Sequence, residues 1–210
     1  MTTTMPEGGR RGGKDSDRLS TAELSRLTEA ILARMHYMLR KCRDADVTFV
    51  PDDPLADDPE AKTSHETGMG WTLGHIIVHL TASAEESAAL AAELARGVPY
   101  HGRSRREVPW QEMTSVAQCR ARLRECRQLC RASLGMWPAD PDLSNAYVPW
   151  EGASPMGAVT RYLLGLHHAA GHEGQLHDVI AQARAARRKR LRWGRWRQRR
   201  AALGAAVDRA

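Results

Sequence analysis

The stretch that decides the fold is WTLGHIIVHL, residues 71–80. Thr72 is a suitable N-cap residue, because its hydroxyl can accept a hydrogen bond from a free N–H of the first helical turn. The residues that follow are largely apolar or small as far as about Arg96, where Gly97 interrupts them. The stretch therefore predicts a long helix that ends near Arg96.

Three further helices are predicted around this one. A capping box at residues 20–23 begins the first, in which apolar residues recur at steps of three and four. Another spans about residues 114–136. The last begins with Ser154 as N-cap and Pro155 in its first turn, and continues to about residue 186. Four long helices with long connections predict an all-α fold, a four-helix bundle with crossovers.

The chain divides into a core-bearing domain and two tails. Residues 1–18 hold Gly, Thr and charged residues without apolar periodicity, which predicts a disordered N-terminal tail. Residues 19–186 form the predicted bundle, in which residues 44–70 are a long connection with three prolines. Residues 187–210 are predicted to be a flexible, basic C-terminal tail.

Cysteine use points to a reduced cytoplasm. The chain has four cysteines, no signal peptide, and no apolar run approaching the roughly 18 residues of a membrane span. Cys119, Cys126 and Cys130 fall on one helical stripe with Val116 and Leu123, which is typical of buried structural cysteines. We therefore expect a cytoplasmic protein without a disulfide framework.

The positive charge of the chain is concentrated near its end. Residues 184–200 contain ten Lys or Arg and no acid, so the net charge of +6 leaves −4 for the rest. This basicity and the nearby Trp193 and Trp196 allow an alternative function, in which residues 187–200 bind nucleic acid or an anionic membrane surface and any metal is structural. A solvated terminus without a partner is the simpler interpretation.

Histidines cluster in two places. His75 and His79 are four residues apart in the 71–80 stretch, and His168 and His172 have the same spacing in the last predicted helix. Residues four apart lie on one face of a helix, so such a pair can reach one metal ion. A three-histidine site leaves coordination positions open for water or substrate.

Two segments resemble the DinB superfamily. Residues 71–80 are similar to its second-helix signature, in which Trp is followed by Ser or Thr and, eight residues after the Trp, by a metal-binding His. Residues 168–176, HAAGHEGQL, are similar to its H-x3-H-x-G-Q segment. The chain departs from the family's commoner His-His-Arg-Gly-Gln form at Gly171 and Glu173, which weakens inferences about substrate.

The resemblance implies a DinB-like four-helix bundle in which His79, His168 and His172 hold a divalent metal, with water completing the coordination. His75, one turn earlier on the same face as His79, is its rival, with a position at the rim of the site as the simpler role. Gln175 stands where the family has Gln, and it could orient His172 by a hydrogen bond or make a core contact.

The implied function is a metal-dependent enzyme. Zn, Ni or Fe would activate either a low-molecular-weight thiol, as in the mycothiol- or bacillithiol-dependent S-transferases and isomerases of the family, or water, as in a hydrolase. Glu66, Tyr147 and Glu151 are candidate catalytic acids or bases, because each lies in a predicted loop at one end of the bundle. We expect a small-molecule substrate, and a homodimer by analogy with relatives.

Overall fold

The computed structural model describes residues 19–58, 61, 63–103 and 107–207. The predicted disordered tail, residues 1–18, lies outside these residues. The described part of the chain is helical and contains no β-strand, only an isolated bridge between Tyr147 and Met156.

Five long helices carry the fold: α1 (Thr21–Met38), α2 (Leu73–Ala95), α3 (Val116–Gly135), α4 (Ala158–Gly171) and α5 (Glu173–Val207). All five contribute to one hydrophobic core, α5 through Leu176, Val179 and Ile180, and α2 makes its most extensive contacts with α4 and α3. Two short helices, Asp44–Val47 and Ser64–Thr67, interrupt the connection before α2. The predicted all-α bundle with long connections is confirmed.

The predicted caps of α1 and α2 are present. Ser20 forms a reciprocal capping box with Glu23, and the Thr72 hydroxyl accepts a hydrogen bond of 3.1 Å from the backbone N–H of His75. Gly97, just beyond α2, has a φ of +78°, a left-handed conformation that glycine adopts without strain. These local signals position the first turn of α2, and with it His75 and His79.

The start of the fourth bundle helix differs from the prediction. Gly157 occupies the N-cap position and α4 begins at Ala158, so neither Ser154 nor Pro155 belongs to the helix. The reason is the bridge between Tyr147 and Met156, in which each backbone N–H donates to the other's carbonyl at 2.8 and 3.2 Å. Because the N–H of Met156 is used across this bridge, the chain before Gly157 stays extended.

The predicted continuous helix through His172 is divided at that residue. His172 lies between α4 and α5 with φ −81° and ψ −4°, and its N–H donates to the carbonyl of Ala169 at 3.2 Å, a tighter turn than in an α-helix. Gly171 and Gly174 flank the break, and glycine lowers helix stability. The interruption places His172 at a bend of the chain.

Residues 187–207, which we expected to form an irregular tail, continue α5. The segment is rich in Arg and Ala, good helix formers, and it contains no proline, so its local preference is sufficient to explain the helix. Within the described residues, no helix is long and apolar enough to cross a membrane.

The closest approach of α4 to α2 depends on Gly165. A Cβ atom at this position would lie 2.4 Å from the Cβ of Ser87 and 3.1 Å from the Cα of Ala84. Because only a hydrogen fits there, the two helices pack almost backbone to backbone. Gly165 is one helical turn before His168, so this contact also sets how closely the histidines of the two helices approach.

Cys119, Cys126 and Cys130 lie in the core with free thiols, as predicted. Burial raises the pKa of the Cys119 thiol to about 12, which keeps it protonated at neutral pH. These cysteines are therefore packing residues of the bundle.

Candidate metal centre

The structure brings His79, His168 and His172 together. One ring nitrogen from each lies within 4.8 Å of the others, and the Nε2 atoms of His79 and His168 are 2.9 Å apart. His79 comes from the second turn of α2, His168 from the end of α4, and His172 from the bend that follows it. All three side chains are half-buried. We call this group the histidine cluster.

Two neighbouring side chains orient the imidazoles of the cluster. The Nδ1 atom of His172 is 2.8 Å from the amide oxygen of Gln175, an acceptor, so Nδ1 carries the hydrogen and Nε2 is the nitrogen whose lone pair can bind a metal. The Nδ1 atom of His79 is 3.5 Å from a carboxylate oxygen of Glu107, which favours the same tautomer. Both contacts follow the arrangement in which a metal-binding histidine donates its second N–H to an oxygen.

The donor set fits a divalent transition metal. Two nitrogens bound at roughly 2.0–2.1 Å to a tetrahedral ion lie about 3.3 Å apart, close to the separation of His79 and His168. Three neutral imidazoles suit Zn, Ni or Fe and leave further positions for a ligand. Small adjustments of side-chain rotamers therefore suffice to place an ion between the three rings.

We predict that Gln175→Leu weakens metal binding without unfolding the protein. The substitution removes the acceptor of the His172 N–H, so both the tautomer and the ring orientation of His172 become less well defined. The expected loss of Zn affinity is about 10- to 100-fold. A competition titration against a coloured zinc chelator measures it, with Gln128→Leu, an exposed glutamine on α3, as control. Equal affinities of the two variants would contradict this role of Gln175.

His75, the rival of His79, lies outside the cluster. Its ring stacks between Trp71, with ring centroids 4.4 Å apart, and Trp110, at 4.8 Å. Its Nε2 is 3.9 Å from a carboxylate oxygen of Asp58, and its buried Nδ1 has no hydrogen-bond partner. Burial lowers the pKa of His75 to about 4, so the ring is neutral at neutral pH. The structure thus places His75 in the wall beside the cluster.

Acid should destabilise the protein through His75. Because its pKa is about 4 in the folded state and 6.5 is the ordinary value, the unfolded chain binds the proton more readily between these pH values. The free energy of unfolding should therefore be constant above about pH 7 and fall by roughly 2–3 kcal/mol as the pH drops towards 4.

Urea denaturation of chelator-treated wild type and His75→Phe at several pH values tests this expectation. Phenylalanine keeps a flat ring between Trp71 and Trp110 but does not titrate, so the variant should lose less stability on acidification. All other ionisable groups are present in both proteins, so the comparison isolates the contribution of His75. Parallel losses of stability in the two proteins would rule out His75 as the cause.

A cavity of about 490 Å³ opens beside His79, and the stacked rings of Trp71, His75 and Trp110 line it. We call it the tryptophan cavity. Glu66, a predicted acid or base, lines it and accepts a hydrogen bond of 3.2 Å from the side chain of Gln111. Glu107 and Asp58 also line it, so three carboxylates of the described residues line the same space as His79.

A second cavity, of about 390 Å³, includes His168 in its lining and shares Arg103 with the tryptophan cavity. Tyr147, another predicted catalytic residue, lines this cavity, and its hydroxyl contacts the sulfur of Met156 at 3.4 Å. Burial raises the pKa of Tyr147, so its hydroxyl stays protonated at neutral pH. Glu151 is exposed in a turn and lines neither cavity.

Sequence reasoning missed several residues of the site. Glu107 and Trp110 lie in an irregular segment between α2 and α3, where no periodicity marks an inward-facing position. Trp71 was part of the recognised signature without a role of its own, yet its ring lies 4.5 Å from that of His79 and 5.9 Å from that of His172. The sequence signal that could have identified Trp71 is its position directly before an N-cap residue and a histidine motif.

Comparison with known proteins gives one result on the family. A family model described as the DinB superfamily matches residues 26–176, most of the chain and all three members of the histidine cluster. No curated protein and no solved structure matches the chain.

Proposed function

The chain belongs to the DinB superfamily, and on that premise we propose that it is a metal-dependent enzyme whose ion is held by His79, His168 and His172. The observation that carries the proposal is the convergence of three imidazole nitrogens within 4.8 Å. The membership of the family and the contacts of Gln175 and Glu107 support it.

A bound Zn, Ni or Fe ion supplies Lewis acidity, which lowers the pKa of a coordinated thiol or water towards neutrality. The protein itself has two tasks. It holds the three imidazole nitrogens of the cluster in place, and it keeps the remaining coordination positions of the ion accessible. Gln175 and Glu107 perform the first task by fixing ring orientation. The cavities beside His79 and His168 perform the second, and each has the size of a small-molecule site.

We further propose that the nucleophile is a low-molecular-weight thiol of the mycothiol type, as in an S-transferase, or water, as in a hydrolase. In the transfer reaction the sulfur loses its proton and bonds to an electrophilic carbon of the substrate. The leaving group departs with the electron pair of the broken bond. Glu66 and Glu107, which line the tryptophan cavity with His79, are the carboxylates we propose as acceptors of the proton.

Turnover assays with defined metal content test this proposal. Wild type loaded separately with Zn, Ni or Fe is given mycothiol, bacillithiol or cysteine with a chromogenic alkyl or aryl halide, and activated esters in a parallel series. We expect rates above the background in at least one series, and background rates for His168→Ala. A wild type that binds one ion yet never exceeds the His168→Ala rate would contradict the enzymatic function and indicate a structural metal.

The basic end of α5 favours a second candidate function. After Arg187, whose guanidinium pairs with Asp46, the helix exposes Trp193 and Trp196, which stack on each other at 4.9 Å among arginines. Arginines attract phosphates, and exposed tryptophans can stack on unpaired bases. Few apolar side chains accompany the tryptophans, so we propose single-stranded nucleic acid rather than a membrane as the partner.

Deletion of residues 187–210 separates the two candidate functions. The truncated protein should keep its metal and any turnover but lose its binding to a fluorescent single-stranded oligonucleotide. In the full chain, that binding should weaken steeply with salt, because released counterions drive it. Binding that survives the deletion, or that occurs only with anionic lipid vesicles, would contradict this second proposal.

A further inference from the structure

The cavity beside His168 contains an unusual group of charges. Two guanidinium groups, Arg103 and Arg161, and one carboxylate, Glu86, line it, together with the imidazole of His168. With His168 neutral, the charged residues that line this cavity in the described part of the chain sum to one positive charge. We call it the arginine cavity.

Arg103 forms a close ion pair with Glu86. The Nε of Arg103 lies 3.2 Å from both carboxylate oxygens of Glu86, and one terminal nitrogen lies at 2.9 Å. Arg161 is farther away, with a terminal nitrogen 3.7 Å from the same carboxylate. That distance permits an ion pair but is too long for a good hydrogen bond.

Arg161 is therefore a buried cation with spare hydrogen-bonding capacity. Its side chain is 93% buried, since only 7% is exposed, and its buried Nε–H has no hydrogen-bond partner among the described residues. A buried guanidinium is stable only when acceptors compensate for its lost hydration. A carboxylate entering the cavity would supply two acceptor oxygens in the geometry that a guanidinium prefers.

The remainder of the cavity suits a flat, apolar body. Tyr100 and Tyr147 stack face to face with ring centroids 3.7 Å apart, and both line the space. Trp150, exposed to 67%, lines it as well, with Met156 and Leu164. Exposed aromatic side chains beside a buried cation are typical of sites that bind an aromatic or planar acid.

We propose that the arginine cavity binds the carboxylate of a small planar or aromatic acid on Arg161, with the body of the acid against Tyr147 and Trp150. This inference rests on the proposed function, because His168 belongs both to the cavity lining and to the histidine cluster, so an acid bound here lies beside the ion. It specifies the substrate class as anionic, a property that the metal site alone does not determine.

Calorimetric titration with a matched pair of ligands tests the proposal. Phenylacetate and phenylacetamide have nearly the same shape and differ in charge. We expect full-length protein with its metal to bind phenylacetate at least about 10-fold more tightly than phenylacetamide, as a charge-assisted pair requires. Equal binding of the two ligands, or no binding of either, would overturn the proposal.

Two variants identify the group that binds the carboxylate. Arg161→Lys keeps the charge beside Glu86 but loses the guanidinium fork, and it should abolish most of the preference for phenylacetate. Arg131→Lys, an exposed arginine on α3, should leave the preference unchanged. If Arg161→Lys does not fold, spectra of wild type with ¹⁵N-labelled arginine replace it. Phenylacetate, and not phenylacetamide, should then shift one solvent-protected Nε–H resonance.

His168→Ala separates failure of this inference from failure of the proposed function. If the metal is lost in His168→Ala while phenylacetate still binds, the carboxylate subsite stands independently of the ion. If phenylacetate binding disappears with His168→Ala but persists with Arg161→Lys, the carboxylate binds at the histidine cluster and the assignment to Arg161 is wrong.

Discussion

Gly165→Ala should lower the free energy of unfolding by about 2 kcal/mol or more, the largest stability effect that we expect from a single methyl group. The new Cβ would lie 2.4 Å from the Cβ of Ser87 and 2.7 Å from its hydroxyl oxygen. Carbon atoms do not approach this closely, so α4 must move away from α2. The neighbouring Cα of Ala84, at 3.1 Å, is backbone and cannot rotate away.

Gly135→Ala provides the control. Gly135 lies in the last turn of α3, and a Cβ there would meet no atom within 4 Å. Because alanine favours the helix over glycine, this variant should be unchanged or about 0.5–1 kcal/mol more stable. Urea denaturation of both variants measures the difference. Equal stabilities would show that α2 and α4 tolerate a wider spacing than the structure indicates.

The same substitution should also weaken metal binding. Gly165 is three residues before His168 on α4, so a displacement of α4 moves His168 away from His79. An affinity for Zn that falls in Gly165→Ala and not in Gly135→Ala would connect the helix packing to the geometry of the cluster. If Gly165→Ala is destabilised but binds Zn with unchanged affinity, the packing of α4 on α2 does not control the geometry of the cluster.

His168→Ala should reduce the affinity for divalent metal by more than about 100-fold. This loss exceeds the roughly 10- to 100-fold loss expected when a metal ligand only loses its hydrogen-bond partner. It removes one of three nitrogens, and the Nε2 atoms of His79 and His172 alone cannot enclose an ion from three sides. Because the side chain of His168 is only half-buried, stability should change less than metal affinity does.

His167→Ala is the matched control for this prediction. The two histidines are adjacent in sequence, but His167 lies about 100° around α4 from His168, is exposed, and is not a member of the cluster. Its substitution removes the same side chain from the same helix, and it should leave metal affinity within about twofold, since surface changes have small effects. Similar losses in His167→Ala and His168→Ala would mean that the measured metal binds at the surface.

The histidine cluster was expected from the family resemblance, and two local features of the sequence support it. The spacing of four between His168 and His172 places both on one side of the chain, and Thr72 fixes the first turn of α2, from which His79 follows. The choice of His79 over His75 came from the family signature. The stacking of His75 between Trp71 and Trp110 agrees with the rim position expected for it.

The features that sequence reasoning missed depend on contacts between distant segments. The start of α4 follows from the bridge of Met156 to Tyr147, which outweighs the local capping preference of Ser154. Glu107 and Arg161 acquire their roles from α2, with which they share no sequence pattern. Residues 187–207, predicted as part of a flexible basic tail, are helical, which their high content of Arg and Ala explains.

The most direct test of the account is the metal content of untagged, full-length protein, measured by elemental analysis beside His79→Ala and His172→Ala variants that remain folded by circular dichroism. The account predicts one transition-metal ion per chain in the wild type and its loss in both variants. A wild type that contains no metal and takes up neither Zn, Ni nor Fe on reconstitution would contradict it.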